Sequence, residues 1–122
     1  MDSKIAKKRK ESILNGKTAL GIELGSTRIK SVLVDENRYP IAIGSFDWEN
    51  SYIDNIWTYS LEDIWEGIQG SYRNMVEEVK KLYDISLNTI GALGISGMMH
   101  GYMAFDKHGE ILTPFRTCRT TI

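Results

Sequence analysis

Cysteine is almost missing from this chain of 122 residues, with Cys118 as its one example. It cannot close an internal disulfide, and with no second cysteine it offers no zinc pattern. Long apolar runs are missing too: none approaches the roughly 20 residues that span a bilayer. The N-terminus lacks the apolar core and small-residue cleavage site of a secretion signal, so the expectation is a cytoplasmic protein. Charge of one sign is not in excess either, the formal net charge being -1. What is present is a hydrophobic content of 42%, enough for a packed core at a length that suits one domain or part of one.

The near-zero net charge hides an asymmetry. Residues 1–17 hold Lys4, Lys7, Lys8, Arg9, Lys10 and Lys17 against only Asp2 and Glu11. Such an arm reads either as a solvated basic leader or as a contact for nucleic acid or a membrane surface. The run carries no aromatic residue for stacking on bases, and the body shows no matching basic patch, so no nucleic-acid and no membrane partner is expected. Ser3 to Leu14 suits a short charged helix that stops at Asn15 and Gly16 and needs nothing to pack against. The triplet Gly16-Lys17-Thr18 is like the end of a P-loop. That motif needs a glycine where Glu11 stands and follows a strand instead of preceding one, so it is rejected.

Leu20 to Asp35, LGIELGSTRIKSVLVD, reads as two short strands, Ala19–Leu24 and Ile29–Val34, joined by Gly25, Ser26 and Thr27. A turn of this composition exposes backbone N–H groups and two hydroxyls in a small concavity, which suits the oxygens of an anion. It equally suits an ordinary hairpin. Pro40 leads into a third strand, Ile41–Phe46, which completes an antiparallel meander. From Asp47 to Tyr59 a loop spaces Trp48, Tyr52, Trp57 and Tyr59 among polar residues, a mixture that serves either a sugar surface or the cover of a sheet edge.

Ser60 and Asp63 form a helix start. The stripe Leu61, Ile64, Trp65, Ile68, Tyr72, Met75, Val76, Val79, Leu82 and Tyr83 recurs at helical spacing, so one face of a long helix is expected in the core. Gly67 and Gly70 weaken that helix by about 1 kcal/mol each relative to alanine. Ile90 to Ser96 returns to strand, and its near-continuous apolar run suits burial on both faces. Gly97 to Gly101, containing Met98, Met99 and His100, comes at its end, where open α/β sheets tend to bind ligands. Tyr102–Phe105 and Glu110–Leu112 flank a turn from Asp106 to Gly109, a predicted hairpin with His108 exposed.

This order of elements resembles the opening half of a ribonuclease H-like domain of the actin-like ATPase superfamily. From about Lys17 onward it resembles more closely the N-terminus of an FGGY carbohydrate kinase. LGIELGSTRIKSVLVD is similar to that family's first phosphate motif, and IGALGISGMMHG with FDKHGEILTPFRT is similar to its sugar-side strand and hairpin. The division implied is a basic leader, 1–17, followed by an incomplete first kinase domain, 18–122, of α/β class.

The resemblance implies an ATP- and Mg2+-dependent kinase acting on a sugar hydroxyl, xylulokinase-like in its Met-His-Gly. Gly25, Ser26, Thr27 and Lys30 fall at the phosphate positions, Met99, His100, Arg116 and Arg119 on the sugar side. Glu23 stands where the family usually has the aspartate that holds magnesium through water. The segment around Cys118 and Arg119 departs from the Trp-Arg-Asn or Trp-Asn-Asp of relatives. The catalytic base of relatives lies beyond residue 122, so the fragment alone is expected to be inactive and to self-associate through the surface left by the missing lobe. Two alternatives stay open, another actin-like ATPase and a non-catalytic interaction module.

Overall fold

The computed structural model describes residues 1–49, 51–54, 56–97 and 102–113. Asp2 accepts a hydrogen bond from the Lys4 N–H at 2.7 Å and caps α1, Ser3–Leu14. This helix ends at Asn15 as its sequence predicts, but it is not a loose leader. Its last turn buries Ser12 and Ile13, and Ile13, only 1% exposed, joins the main core. Ile5, Ile13 and Leu14 are too few and too unevenly spaced along the helix to announce that docking.

Three antiparallel strands follow, β1 (Thr18–Leu24), β2 (Arg28–Asp35) and β3 (Pro40–Asp47), each one or two residues longer than its apolar run suggests. Leu20 pairs with Leu33, Glu23 with Lys30 and Leu24 with Ile29, while Lys30 pairs on its other side with Ser45. Because side chains alternate along a strand, Leu20, Ile22, Ile29, Ser31 and Leu33 turn to one face and are buried there. Gly21, Glu23, Lys30 and Val32 fall on the other.

The predicted loop from Asp47 to Tyr59 contains two strands of three residues, β4 (Ser51–Ile53) and β5 (Ile56–Thr58), paired as a separate hairpin. Elements this short carry no readable alternation. Ser60 then accepts from the Asp63 N–H at 3.0 Å and opens α2, Leu61–Tyr83, which runs to a left-handed Asp84.

The buried positions of α2 are Ile64, Gly67, Gly70, Ser71, Met75, Val79 and Tyr83, a narrower stripe than the apolar residues alone mark out. Trp65 and Leu82 are exposed, each lying about 100° round the helix from a buried neighbour. Gly67 and Gly70 are not mere weak points. A Cβ there would stand 2.4 Å from Ile29 Cδ1 and 2.5 Å from Phe46 Cδ2, so their bareness lets the helix sit close on β2 and β3. Contact is closest at Gly44 of β3, where a Cβ would meet Ser71 O and Met75 N of the helix backbone at 2.2 Å. Two polar contacts pin the same interface: Ser31 Oγ to Ser71 Oγ at 2.8 Å, and the Tyr83 hydroxyl donating to Ile41 O at 2.6 Å.

After α2 the chain crosses to β6 (Ala92–Gly97), which pairs parallel to β1 and gives the sheet order β3-β2-β1-β6. The sequence suggests a strand covered on both faces, but all six residues are exposed. As the last strand of the sheet, β6 has a neighbour on one side only among the described residues. Of the predicted second hairpin the described residues include the antiparallel bridge Phe105 to Ile111. Asp106 closes its turn by accepting from the N–H groups of His108 and Glu110, with His108 exposed as expected. No helix of the described residues is long and apolar enough to cross a membrane.

Candidate functional site

The turn Gly25-Ser26-Thr27 lies at the end of the sheet where β1 stops and β2 begins. Gly25 donates its N–H to Arg28 O at 2.9 Å. A Cβ on Gly25 would come within 2.8 Å of that same carbonyl oxygen, so the tight reversal requires glycine. Ser26 and Thr27 are exposed at the tip. Beside the turn, Thr27, Arg28, Asp47, Trp48 and Glu49 line an open cavity of 510 Å³. On its rim Arg28 Nε donates to Asp47 Oδ1 at 2.8 Å and ties the start of β2 to the end of β3.

Two aromatic residues from the intervening segment hold the turn from behind. Trp48, just past β3, donates its indole N–H to Gly25 O at 2.7 Å and its backbone N–H to Thr27 O at 3.1 Å. Tyr59, just before the cap of α2, donates its hydroxyl to Ser26 O. The two rings stack with centroids 3.9 Å apart and an interplanar angle of 22°. Both are buried, at 8% and 2% exposure, so neither offers a ring face to a sugar. Tyr52 is exposed. The polar-aromatic composition leaves open a sugar surface or the cover of a sheet edge, and for this pair the burial argues for a covering role that supports the turn.

Glu23 and Lys30 face each other across β1 and β2, and in the parallel direction Glu23 pairs with Ser96 of β6. Paired residues project from the same face of a sheet, so a polar row, Ser45-Lys30-Glu23-Ser96, crosses all four strands one step below the turn. Gly21 and Gly94, the next pair along, leave a side-chain-free floor in a shallow cavity of 360 Å³ that Glu23, Val32 and Ser96 also line. Glu23 makes no ion pair among the described residues. The structure therefore brings Gly25, Ser26 and Thr27 together at the tip and sets Glu23 and Lys30 side by side on the sheet face beneath it.

Met99, His100, Arg116 and Arg119 lie outside the described residues, as does Cys118. The strand end that leads to the first two is described: Gly97, the last residue of β6, pairs with Leu24, the last residue of β1. The turn and the Met-Met-His-Gly stretch thus follow two strand ends that are side by side. Trp48 and Tyr59 are visible in the sequence as part of an aromatic loop, but their support of the turn is not. A signal existed, because β3 is antiparallel to β2 and its final residue, Asp47, pairs with Arg28 at the turn, which leaves Trp48 next to it.

Solved structures share this fold. The chain superposes on a xyloylose kinase from Brucella ovis with a TM-score of 0.63 at 22% identity, covering 81% of this chain and 20% of that one. It superposes on a gluconate kinase from Lactobacillus acidophilus with a TM-score of 0.60 at 21% identity, covering 82% and 19%. For the ligand-bound xylulose kinase from Lactobacillus acidophilus the score is 0.59 at 21% identity, covering 82% and 19%. These similarities show the fold, the ribonuclease H-like α/β arrangement expected from the sequence, and the chain spans about one fifth of the length of those proteins. A sequence search of curated proteins returns no match. The family model for the N-terminal domain of the FGGY carbohydrate kinases matches residues 18–121, and the chain belongs to that family.

Proposed function

We propose that this chain is the phosphate-binding N-terminal portion of an ATP-dependent kinase acting on a carbohydrate, with a pentulose or related sugar as acceptor. The observation that supports it most is the exposed Gly25-Ser26-Thr27 turn at a sheet end, in a chain of the carbohydrate-kinase family. Amide and hydroxyl donors at such a tip stabilise anionic oxygens, and phosphoryl transfer depends on that kind of electrostatic positioning. Lys30 lies one strand pair below, where it adds positive charge under the turn.

Mg2+ is the metal such chemistry uses, and it screens the charge of the transferring phosphoryl group. Among the described residues no three His, Cys, Asp or Glu side chains gather into a metal cage. Glu23 alone suits a hydrated ion, because Mg2+ keeps several waters and takes one or two carboxylates together with substrate phosphates. Its role toward the metal is through water. The sugar side is assigned to Met99, His100, Arg116 and Arg119, with His100 exchanging a hydrogen bond with a substrate hydroxyl.

The base that takes the hydroxyl proton belongs to sequence beyond residue 122, so residues 1–122 alone do not turn over. The protein works in the cytoplasm, with sugar and ATP as its partners and no nucleic acid or membrane. Residues 18–122 form the incomplete kinase domain and 1–17 its basic leader. The exposed β6 edge, with Leu93 59% and Ile95 67% exposed, favours association of the isolated chain with itself.

The test is a titration of the 15N-labelled chain with MgATP and then with xylulose or gluconate, together with a coupled ADP-release assay. Turn amides that shift with MgATP, and no turnover, are expected. ADP release at a rate typical of a kinase from this chain alone overturns its assignment as an inactive portion. Absence of any shift at Gly25, Ser26 and Thr27 overturns the phosphate role.

A further inference from the structure

Three consecutive carbonyls of the turn, those of Gly25, Ser26 and Thr27, are each held by a donor from Trp48 or Tyr59. The chain contains no cis peptide bond among the described residues. In a trans peptide the C=O and the following N–H point in opposite directions. Each oxygen held by Trp48 or Tyr59 therefore turns the N–H that follows it, that of Ser26, Thr27 or Arg28, away from the group that holds it. Successive amides aimed to one side make a concavity for an anion. The rings in turn are anchored at both ends, since Trp48 follows the last residue of β3 and Tyr59 precedes Ser60, the cap of α2.

We propose that Trp48 and Tyr59 are positioning residues that orient the turn amides toward the phosphate oxygens. This inference rests on the phosphate-binding reading of the turn. The indole N–H fixes the Gly25–Ser26 peptide and through it the Ser26 amide. The Tyr59 hydroxyl fixes the Ser26–Thr27 peptide and through it the Thr27 amide. The Trp48 backbone N–H fixes the Thr27–Arg28 peptide, so the Arg28 amide is independent of either side chain. Stacking keeps the two donors at a constant spacing, so the turn is pre-organised instead of ordering only when the anion arrives.

Two conservative variants separate these parts. Trp48→Phe and Tyr59→Phe each keep a ring for the stack and remove one donor. The complete chain, 15N-labelled, is titrated with inorganic tripolyphosphate and followed amide by amide. In the unsubstituted chain the Ser26, Thr27 and Arg28 amides are expected to shift together. Trp48→Phe should diminish the Ser26 response and Tyr59→Phe the Thr27 response, with Arg28 preserved in both. The double variant should bind about tenfold more weakly, as expected for two hydrogen bonds that each contribute modestly.

A merely structural role would not produce this division, because loosening of the whole turn lowers all three responses alike. Equal affinity and equal responses in both variants overturn the inference, and so does a uniform loss at all three amides. If the unsubstituted chain shows no response at the turn, the phosphate-binding reading itself fails and takes the inference with it.

Discussion

Replacing Gly44 by alanine adds one methyl at the point where β3 and α2 are closest. Its carbon would lie 2.2 Å from both Ser71 O and Met75 N, which are backbone atoms that no rotamer change can move. Reaching the roughly 3.5 Å of an ordinary contact requires the helix to retreat by about 1 Å along its middle. That retreat loosens Met75 and Val79, both fully buried, and lengthens the 2.8 Å bond between Ser31 and Ser71. Overpacking costs about 1–3 kcal/mol where side chains can adapt, and sometimes more; a rigid backbone partner places this case at about 3 kcal/mol or above. Gly94 of β6 provides the control, since a Cβ there meets nothing within 4 Å. Removing the conformational freedom of a strand glycine is worth about 0.5–1 kcal/mol of added stability, so Gly94→Ala should be neutral or slightly stabilising. With a urea m-value of about 2 kcal/mol/M, the midpoint should fall by about 1.5 M for Gly44→Ala and stay level or rise for Gly94→Ala. A Gly44→Ala midpoint equal to that of the unsubstituted chain would refute the close approach. Equal losses at the two positions would show that the cost belongs to strand glycines in general.

Three further substitutions probe how α2 is held. Ser71 gives its proton to Ile68 O at 3.0 Å, so in the buried pair it is Ser31 that donates to Ser71. Ser71→Ala strands that buried donor and should cost about 1–3 kcal/mol, while Ser31→Ala leaves only a lone pair unmet and should cost about 1 kcal/mol, as read from chemical melts of each variant. At the end of the helix Asp84 adopts φ 54°, a conformation natural to glycine. Asp84→Gly should therefore raise the thermal midpoint by a few degrees, about 1 kcal/mol, because the exposed 3.6 Å ion pair it gives up with Lys80 contributes little.

The meander, the long helix and the order of elements were legible in the sequence because each rests on a local signal. Apolar and β-branched runs between turn residues mark β1 to β3, Ser60 with Asp63 marks the start of α2, and Asn15 with Gly16 marks the end of α1. The extent of burial was less legible, because it depends on which neighbours are present. Ile90–Ser96 has the composition of a covered strand, yet β6 is exposed because nothing among the described residues lies beyond it. Trp65 reads as a core residue by spacing alone and is 56% exposed. Of the site, the turn was legible from its own three residues. Its support was not, since Trp48 and Tyr59 are separated by the β4–β5 hairpin and meet only once β3 and α2 are in place.

The parallel pairing of β1 with β6 has a kinetic side. Every other neighbour pair in the sheet is joined by a tight turn, whereas β6 must wait for the chain to travel through β2, β3 and all of α2 before Leu93 can find Leu20. Closing so long a loop is slow and entropically costly, and non-local pairings of this kind form late. Among the described residues β6 has one bonded edge and six exposed residues, so little holds the strand once formed. It is thus the last piece to dock and the first to fray, and its amides should exchange with solvent through local openings well below the free energy of global unfolding. Gly97 leads directly to the Met-Met-His-Gly stretch, so the segment assigned to the sugar hangs from the least protected strand of the sheet.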